Sequence, residues 1–177
     1  MSDQRHNRRI DRILEPAFVQ GLDALPIEEL RGRRDDCVAE REYLSLLRRL
    51  LQGRAEILKA ESEARVSGAE QAPLVERLTA ILADEEHPTT SRGEAVRVVV
   101  PEEEMLLARR RVERLAADAD LSDPSALDDD ALATAIEALV TEEEGVSATR
   151  RQVLDVLDAV QDELKRRYKD DPTLALR

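Results

Sequence analysis

Residues 30–58 read LRGRRDDCVAEREYLSLLRRLLQGRAEIL. Leu30, Cys37, Leu44, Leu51 and Leu58 recur every seven residues, and Leu47 adds a position three residues after Leu44. Apolar side chains at this period mark a helix that packs lengthwise against another helix. Pro26 opens the segment, and no further proline occurs before Pro73. Proline is tolerated in a first helical turn, and Glu28 and Glu29 suit the positive end of the helix dipole. The reading is one helix over about 26–66.

A second stretch repeats the logic. Leu132, Leu139, Val146, Val153 and Val160 also recur every seven residues. Asp128, Asp129 and Asp130 stand at its start, and Lys165, Arg166, Arg167 and Lys169 at its end. That charge order complements the helix dipole. The predicted helix runs over about 128–168. Two such seams bury one another, so the expected fold is all-α: a coiled-coil pair of long heptad helices, antiparallel favoured, with shorter connecting helices.

The composition agrees. The 177 residues include only three aromatics, Phe18, Tyr43 and Tyr168, and no tryptophan. A sandwich or barrel is disfavoured, because sheets rely on aromatic and β-branched side chains. Charged residues make up 37%, with 39 acidic against 27 basic, for a net charge of −12. So acidic a chain is repelled by nucleic acid backbones and attracted to basic protein surfaces. No apolar run approaches the roughly 18 residues of a membrane span, and residues 1–25 lack an apolar signal core. The single cysteine allows no internal disulfide or zinc cluster, so a reducing cytoplasm is the default location.

Around the two long helices the organisation is looser. Residues 1–25 carry Arg5, Arg8, Arg9 and Arg12, then Ile10, Ile13, Leu14, Phe18 and Val19 at roughly helical spacing. They read as a solvated terminus with a short helix ending near Gly21. Residues 26–169 form a single helical domain, with 67–127 as connector. In the connector, Leu74, Leu78, Ile81 and Leu82 suggest a short helix. His87–Gly93 is a loop, and Val96, Val98, Val99 and Val100 form a β-prone patch closed by Pro101. Helix signals resume at Pro101-Glu102-Glu103-Glu104 and run to about Asp118, and Ser122-Asp123-Pro124-Ser125 is a turn with capping chemistry. Residues 170–177 are expected to fray.

The long helices align on each other at an offset of 102: Ala24-Leu25 on Ala126-Leu127, Leu30 on Leu132, Glu40 and Glu42 on Glu142 and Glu144, Ser45 on Ser147, and Arg48-Arg49 on Arg150-Arg151. Polar residues therefore repeat beside the seam, as duplication produces. At about 100° per residue, with Leu44 at zero, Cys37, Leu47, Leu51 and Leu58 lie between about −60° and +20°. Arg41, Ser45, Arg48, Gln52 and Glu56 lie between about +40° and +120°. Each helix thus carries a polar stripe along its apolar seam, and packed seams set the two stripes along one groove. Arginine presents a fork that meets guanine O6 and N7, or a phosphate, and stacks on bases. A carboxylate is acceptor-only and suits guanine's N1–H and N2 donors. The plain alternative is a set of solvated i,i+3 and i,i+4 pairs on exposed faces.

The spacings Ser45-x2-Arg48-x3-Gln52-x3-Glu56 and Glu143-x3-Ser147-x2-Arg150-x7-Asp158 resemble the doubled E-x3-S-x2-R-x3-Q-x3-D motif of the RsiG family. These are cyclic di-GMP-responsive anti-sigma factors of actinomycetes. The resemblance implies that each motif lies on one helix of an antiparallel pair and that cyclic di-GMP binds along it. The loaded protein then sequesters a sporulation and flagellar-type sigma factor, of the WhiG kind, from RNA polymerase. By this resemblance the ligand-binding residues are Ser45, Arg48, Gln52, Glu56, Glu143, Ser147, Arg150 and Asp158. Three positions depart from the pattern: Arg41 stands where it asks for Glu, Glu56 for Asp, and Leu154 for Gln. Arg41 is left to meet a phosphate or to lie outside the site, and Leu154 to join the apolar packing.

Other chemistry finds little support. His6 and His87 have no cysteine or histidine near them in sequence, so no metal site is expected. Cys37 occupies a seam position and reads as a buried, unreactive thiol. No nucleophile elbow, phosphate loop or paired-glycine fingerprint occurs, and no enzymatic activity is expected. The expected partners are the sigma factor and cyclic di-GMP, without direct DNA or membrane contact. The competing reading is a ligand-free coiled-coil adaptor or oligomerisation module.

Overall fold

The structure, a computed structural model, describes residues 3–67, 100–118 and 124–176. Among the described residues there is no strand. The described residues hold four α-helices: α1 (Asp3–Leu14), α2 (Ile27–Ser67), α3 (Glu102–Asp118) and α4 (Asp129–Asp170). Short 3-10 turns cover Pro16–Phe18, Leu22–Ala24, Pro124–Ala126 and Pro172–Leu176. The expected short helix at Leu74, Leu78, Ile81 and Leu82, the His87–Gly93 loop and the Val96, Val98 and Val99 patch lie outside the described residues, as do Ser122 and Asp123.

Local chemistry sets the helix ends. The Pro26 carbonyl accepts from the Glu29 and Leu30 amides at 3.1 and 3.2 Å, which starts α2. Asp128 caps α4, its Oδ1 accepting from the Ala131 amide at 2.7 Å. The sequence reading places the end of the first helix near Gly21, but α1 stops at Leu14. The cause is Pro16, which holds Glu15 in extended backbone at φ −68° and ψ 129°. Gly21 instead supplies the left-handed turn, φ 62°, between two 3-10 turns.

Contacts divide the chain into two compact units, to each of which α2 and α4 contribute one half. Unit 1 holds Met1–Leu46, Val100–Leu107 and Gly145–Arg177. Here α2 and α4 run antiparallel: Arg31 Nε donates to Tyr168 Oη at 3.1 Å, and Arg150 Nε to Ser45 Oγ at 2.8 Å. Leu30, Cys37, Leu44, Val146, Val153 and Val160 are buried between them. The expected solvated terminus is instead packed: Ile13 is fully buried and Phe18 nearly so. Arg33 lies over the Phe18 ring at 5.1 Å and donates to its carbonyl. Arg9 reaches from α1 to Glu40 on α2 at 2.6 Å and Glu104 on α3 at 2.7 Å. Burial works against that charge, but the hydrogen bonds to Glu104 and Glu40 outweigh it and raise the guanidinium pKa. The C-terminal end is tied down too, since the Leu174 carbonyl accepts from Arg31.

Unit 2 holds Leu47–Val99 and Ala108–Glu144. Leu47, Leu51, Ala55 and Leu58 of α2 are buried with Leu132, Ala135 and Leu139 of α4 and Ala108 of α3. The helices are again antiparallel: Gln52 meets Glu143, and Arg65 meets Asp129 at 2.9 Å. Arg65 also donates to the carbonyls of Leu127 and Pro124 and to the buried Glu61, fixing the turn into α4. Every apolar position of both predicted seams is buried.

Three glycines, Gly32, Gly53 and Gly145, lie exposed inside the long helices. A Cβ added at any of them would meet nothing within 4 Å.

Candidate ligand-binding stripe

The polar stripe is placed by the seam. Burying Leu44, Leu47 and Leu51 turns the neighbouring face of α2, with Ser45, Arg48 and Gln52, towards the flank of its antiparallel neighbour. Side chains three and four apart share a helix face, so the motif's spacing keeps them together.

In unit 1, Ser45 Oγ donates to the Arg41 carbonyl at 2.7 Å and accepts from Arg150 Nε at 2.8 Å. One hydroxyl thus joins both helices and aims the Arg150 fork. Ser147 is half-buried on α4, and Asp158 is exposed. Arg41 pairs with the adjacent Glu42 at 2.6 Å, and Leu154 is half-buried.

In unit 2, Gln52 Nε2 donates to Glu143 Oε1 at 3.1 Å. A carboxylate only accepts, so the amide nitrogen is the atom that must face it. Arg48 Nη1 lies 3.8 Å from the same oxygen, and Arg48 Nε is buried with no hydrogen-bond partner. An unmet buried donor is unfavourable by about 1–3 kcal/mol. An acceptor such as a phosphate oxygen, or guanine O6 or N7, removes that penalty. Glu56 points away and pairs with Lys59 at 2.8 Å, the plain i,i+3 arrangement.

The structure therefore joins Ser45 to Arg150 and Gln52 with Arg48 to Glu143, while Glu56 and Asp158 stand in solvent. Sequence reasoning missed Arg111, whose Nη2 meets Glu142 at 2.6 Å and anchors α3 beside Glu143. Its only signal was the arginine run Arg109-Arg110-Arg111. It missed the Arg9–Glu40–Glu104 clamp as well. The thiol of Cys37 is pushed up to about 12 by burial, with the Asp36 charge adding to it. Among the described residues, no three His, Cys, Asp or Glu side chains are grouped to hold a metal ion. No described helix is long and apolar enough to cross a membrane.

The RsiG-like family profile matches residues 16–82 and 118–176, which take in both long helices and both stripes. The chain belongs to the RsiG-like family. No curated protein matches it at a significant level. Membership suggests an anti-sigma role, that of a regulator rather than a catalyst, with a sigma factor as partner.

Proposed function

We propose that this RsiG-like chain binds cyclic di-GMP along the polar stripes of α2 and α4 and, once loaded, holds a WhiG-type sigma factor away from RNA polymerase in the cytoplasm. The carrying observation is Arg48, whose buried Nε lacks an acceptor beside the Gln52–Glu143 pair. Arg48 and Arg150 anchor guanine edges or phosphates. Glu143 and Asp158 accept from guanine N1 and N2, joined by Glu56 once it releases Lys59, and Ser45, Ser147 and Gln52 complete the polar contacts. Arg41 takes a phosphate.

The choice of partner rests on the resemblance to the RsiG family, and charge supports it. A sigma factor exposes basic surfaces towards promoter DNA, and a chain carrying −12 competes for them. Bound nucleotide fixes the register of the two helices. Coupling of this kind is reciprocal, so the sigma factor tightens nucleotide binding by the same factor. The ligand-free adaptor reading draws on Glu56–Lys59 and Arg41–Glu42, which are paired without any ligand.

Three measurements separate the readings. An Arg48→Ala, Arg150→Ala chain should lose nucleotide binding, at about 1.5–3 kcal/mol per contact, yet keep its helicity by circular dichroism. Purified sigma factor should be captured at saturating nucleotide and not in its absence. Equal capture in both conditions leaves an interaction module without a switch. No thermal shift with cyclic di-GMP returns the adaptor reading.

A further inference from the structure

Each unit carries a contact across the helix pair, Ser45–Arg150 in unit 1 and Gln52–Glu143 in unit 2. One helical turn along from Ser45–Arg150, the antiparallel pairing sets Arg41 opposite Leu154, again within unit 1. In the internal repeat, Arg41 is the counterpart of Glu143, and Leu154 that of Gln52. The positions that lack the Glu and the Gln of the doubled motif therefore fall on one cross-helix pair. A carboxylate and an amide that hold each other act as a unit. Once one is replaced, the other loses its partner.

Building on the cyclic di-GMP reading above, we propose that the two cross-helix halves of the doubled motif, each drawn from both helices, are chemically inequivalent. In unit 2, Glu143, held by Gln52, reads the donor edge of guanine. In unit 1, Arg41 attracts phosphate and reads no base. The chemistry separates the roles. Guanine offers N1–H and the N2 amine as donors, and a carboxylate accepts both. Adenine turns the lone pair of N1 towards the same position, where a carboxylate repels it. Arginine holds donors only: they meet phosphate on either nucleotide, and the position opposite Arg41, Leu154, offers no polar group to steer them onto guanine O6 and N7. The present partner of Arg41 is its sequence neighbour Glu42, and adjacent residues on a helix do not face each other squarely. Arg41 is therefore open to exchange that partner for an anion. Glu143 is only 20% exposed and set between Gln52 and Arg48, as a selecting carboxylate must be.

The test compares cyclic di-GMP with cyclic di-AMP by calorimetry on the full-length chain. Glu143→Gln should weaken cyclic di-GMP binding about tenfold or more and leave cyclic di-AMP unchanged or tighter. Arg41→Ala should weaken both nucleotides by the same factor and flatten the salt dependence of each. The paired change Arg41→Glu, Leu154→Gln should increase the preference for guanine. Circular dichroism checks that each variant keeps its helices. Equal weakening of both nucleotides by Glu143→Gln overturns the proposal, as does a changed preference in Arg41→Ala. If the unaltered chain binds no cyclic di-GMP, the underlying ligand reading falls as well. If it binds normally while the variants behave as in the overturning outcomes, only the inequivalence falls.

Discussion

The two long helices bury different things. α4 buries Leu132, Ala135, Leu139, Val146, Val153, Leu157, Val160 and Leu164, all apolar. α2 buries its seam leucines and, among them, Glu40 and Glu61. Both carboxylates stand three residues after a seam position, Cys37 and Leu58, where a heptad asks for a second apolar residue. Each is met by an arginine. Glu61 takes Arg65 from its own helix, whereas Glu40 takes Arg9 from α1, 31 residues away. A seam made wholly of apolar side chains needs only another helix. A seam interrupted by charge needs further elements to answer it, so α2 is the hub of unit 1 while α4 is a simpler wall.

The contrast breaks first at Arg9. Arg9→Met removes the α1 partner of the buried Glu40, and removing one partner of a buried pair is unfavourable by about 3–5 kcal/mol. Urea unfolding measures it, and a change below about 1 kcal/mol would mean that α1 does not hold Glu40 in place. The paired variant Arg9→Met, Glu40→Met should recover part of that stability, because an apolar pair leaves no buried charge behind. On the α4 side, Leu139→Ala should be unfavourable by about 2–5 kcal/mol through transfer and cavity terms alone, with no salt dependence.

A smaller effect lies at the rim of α4. Arg166 and then Arg167 hydrogen-bond Glu163 and draw its carboxyl from 4.5 down to about 2. A depressed folded-state pKa adds stability above the unfolded value, lost as pH falls from about 4.5 towards 2. Glu163→Gln should therefore lower stability modestly at neutral pH, leave it unchanged near pH 2, and so flatten the acid limb of a stability–pH curve in that window. Lys59→Ala, which breaks only the exposed pair with Glu56, should shift stability by less than about 0.5 kcal/mol.

The legible part of the fold was what repeats. Every apolar seam residue from Leu30 to Val160 is buried, because a seven-residue period is a statement about one helix face. Glu40 and Glu61 were illegible for the same reason: a charge breaks the period, and only the arriving arginine explains it. The packing of residues 9–18 was hidden too. Its apolar content is small, and its hold depends on Arg9, Arg12 and Arg33 finding partners far along the chain. In the candidate site, local spacing showed which side chains share a face, and so Ser45, Gln52, Glu143 and Arg150 were named. It did not show that Glu56 turns to Lys59, nor that Arg111 reaches α4 from α3, since both depend on neighbours rather than on period.

The exposed helical glycines have an evolutionary consequence. Glycine in a helix interior is less favourable than alanine by roughly 1 kcal/mol. At Gly32, Gly53 and Gly145 a methyl group would meet nothing. Three of the simplest routes to a hardier protein have thus been left untaken. Chains are selected to remain above a threshold of stability rather than to climb far from it. These positions are where an engineer seeking a hardier protein would begin.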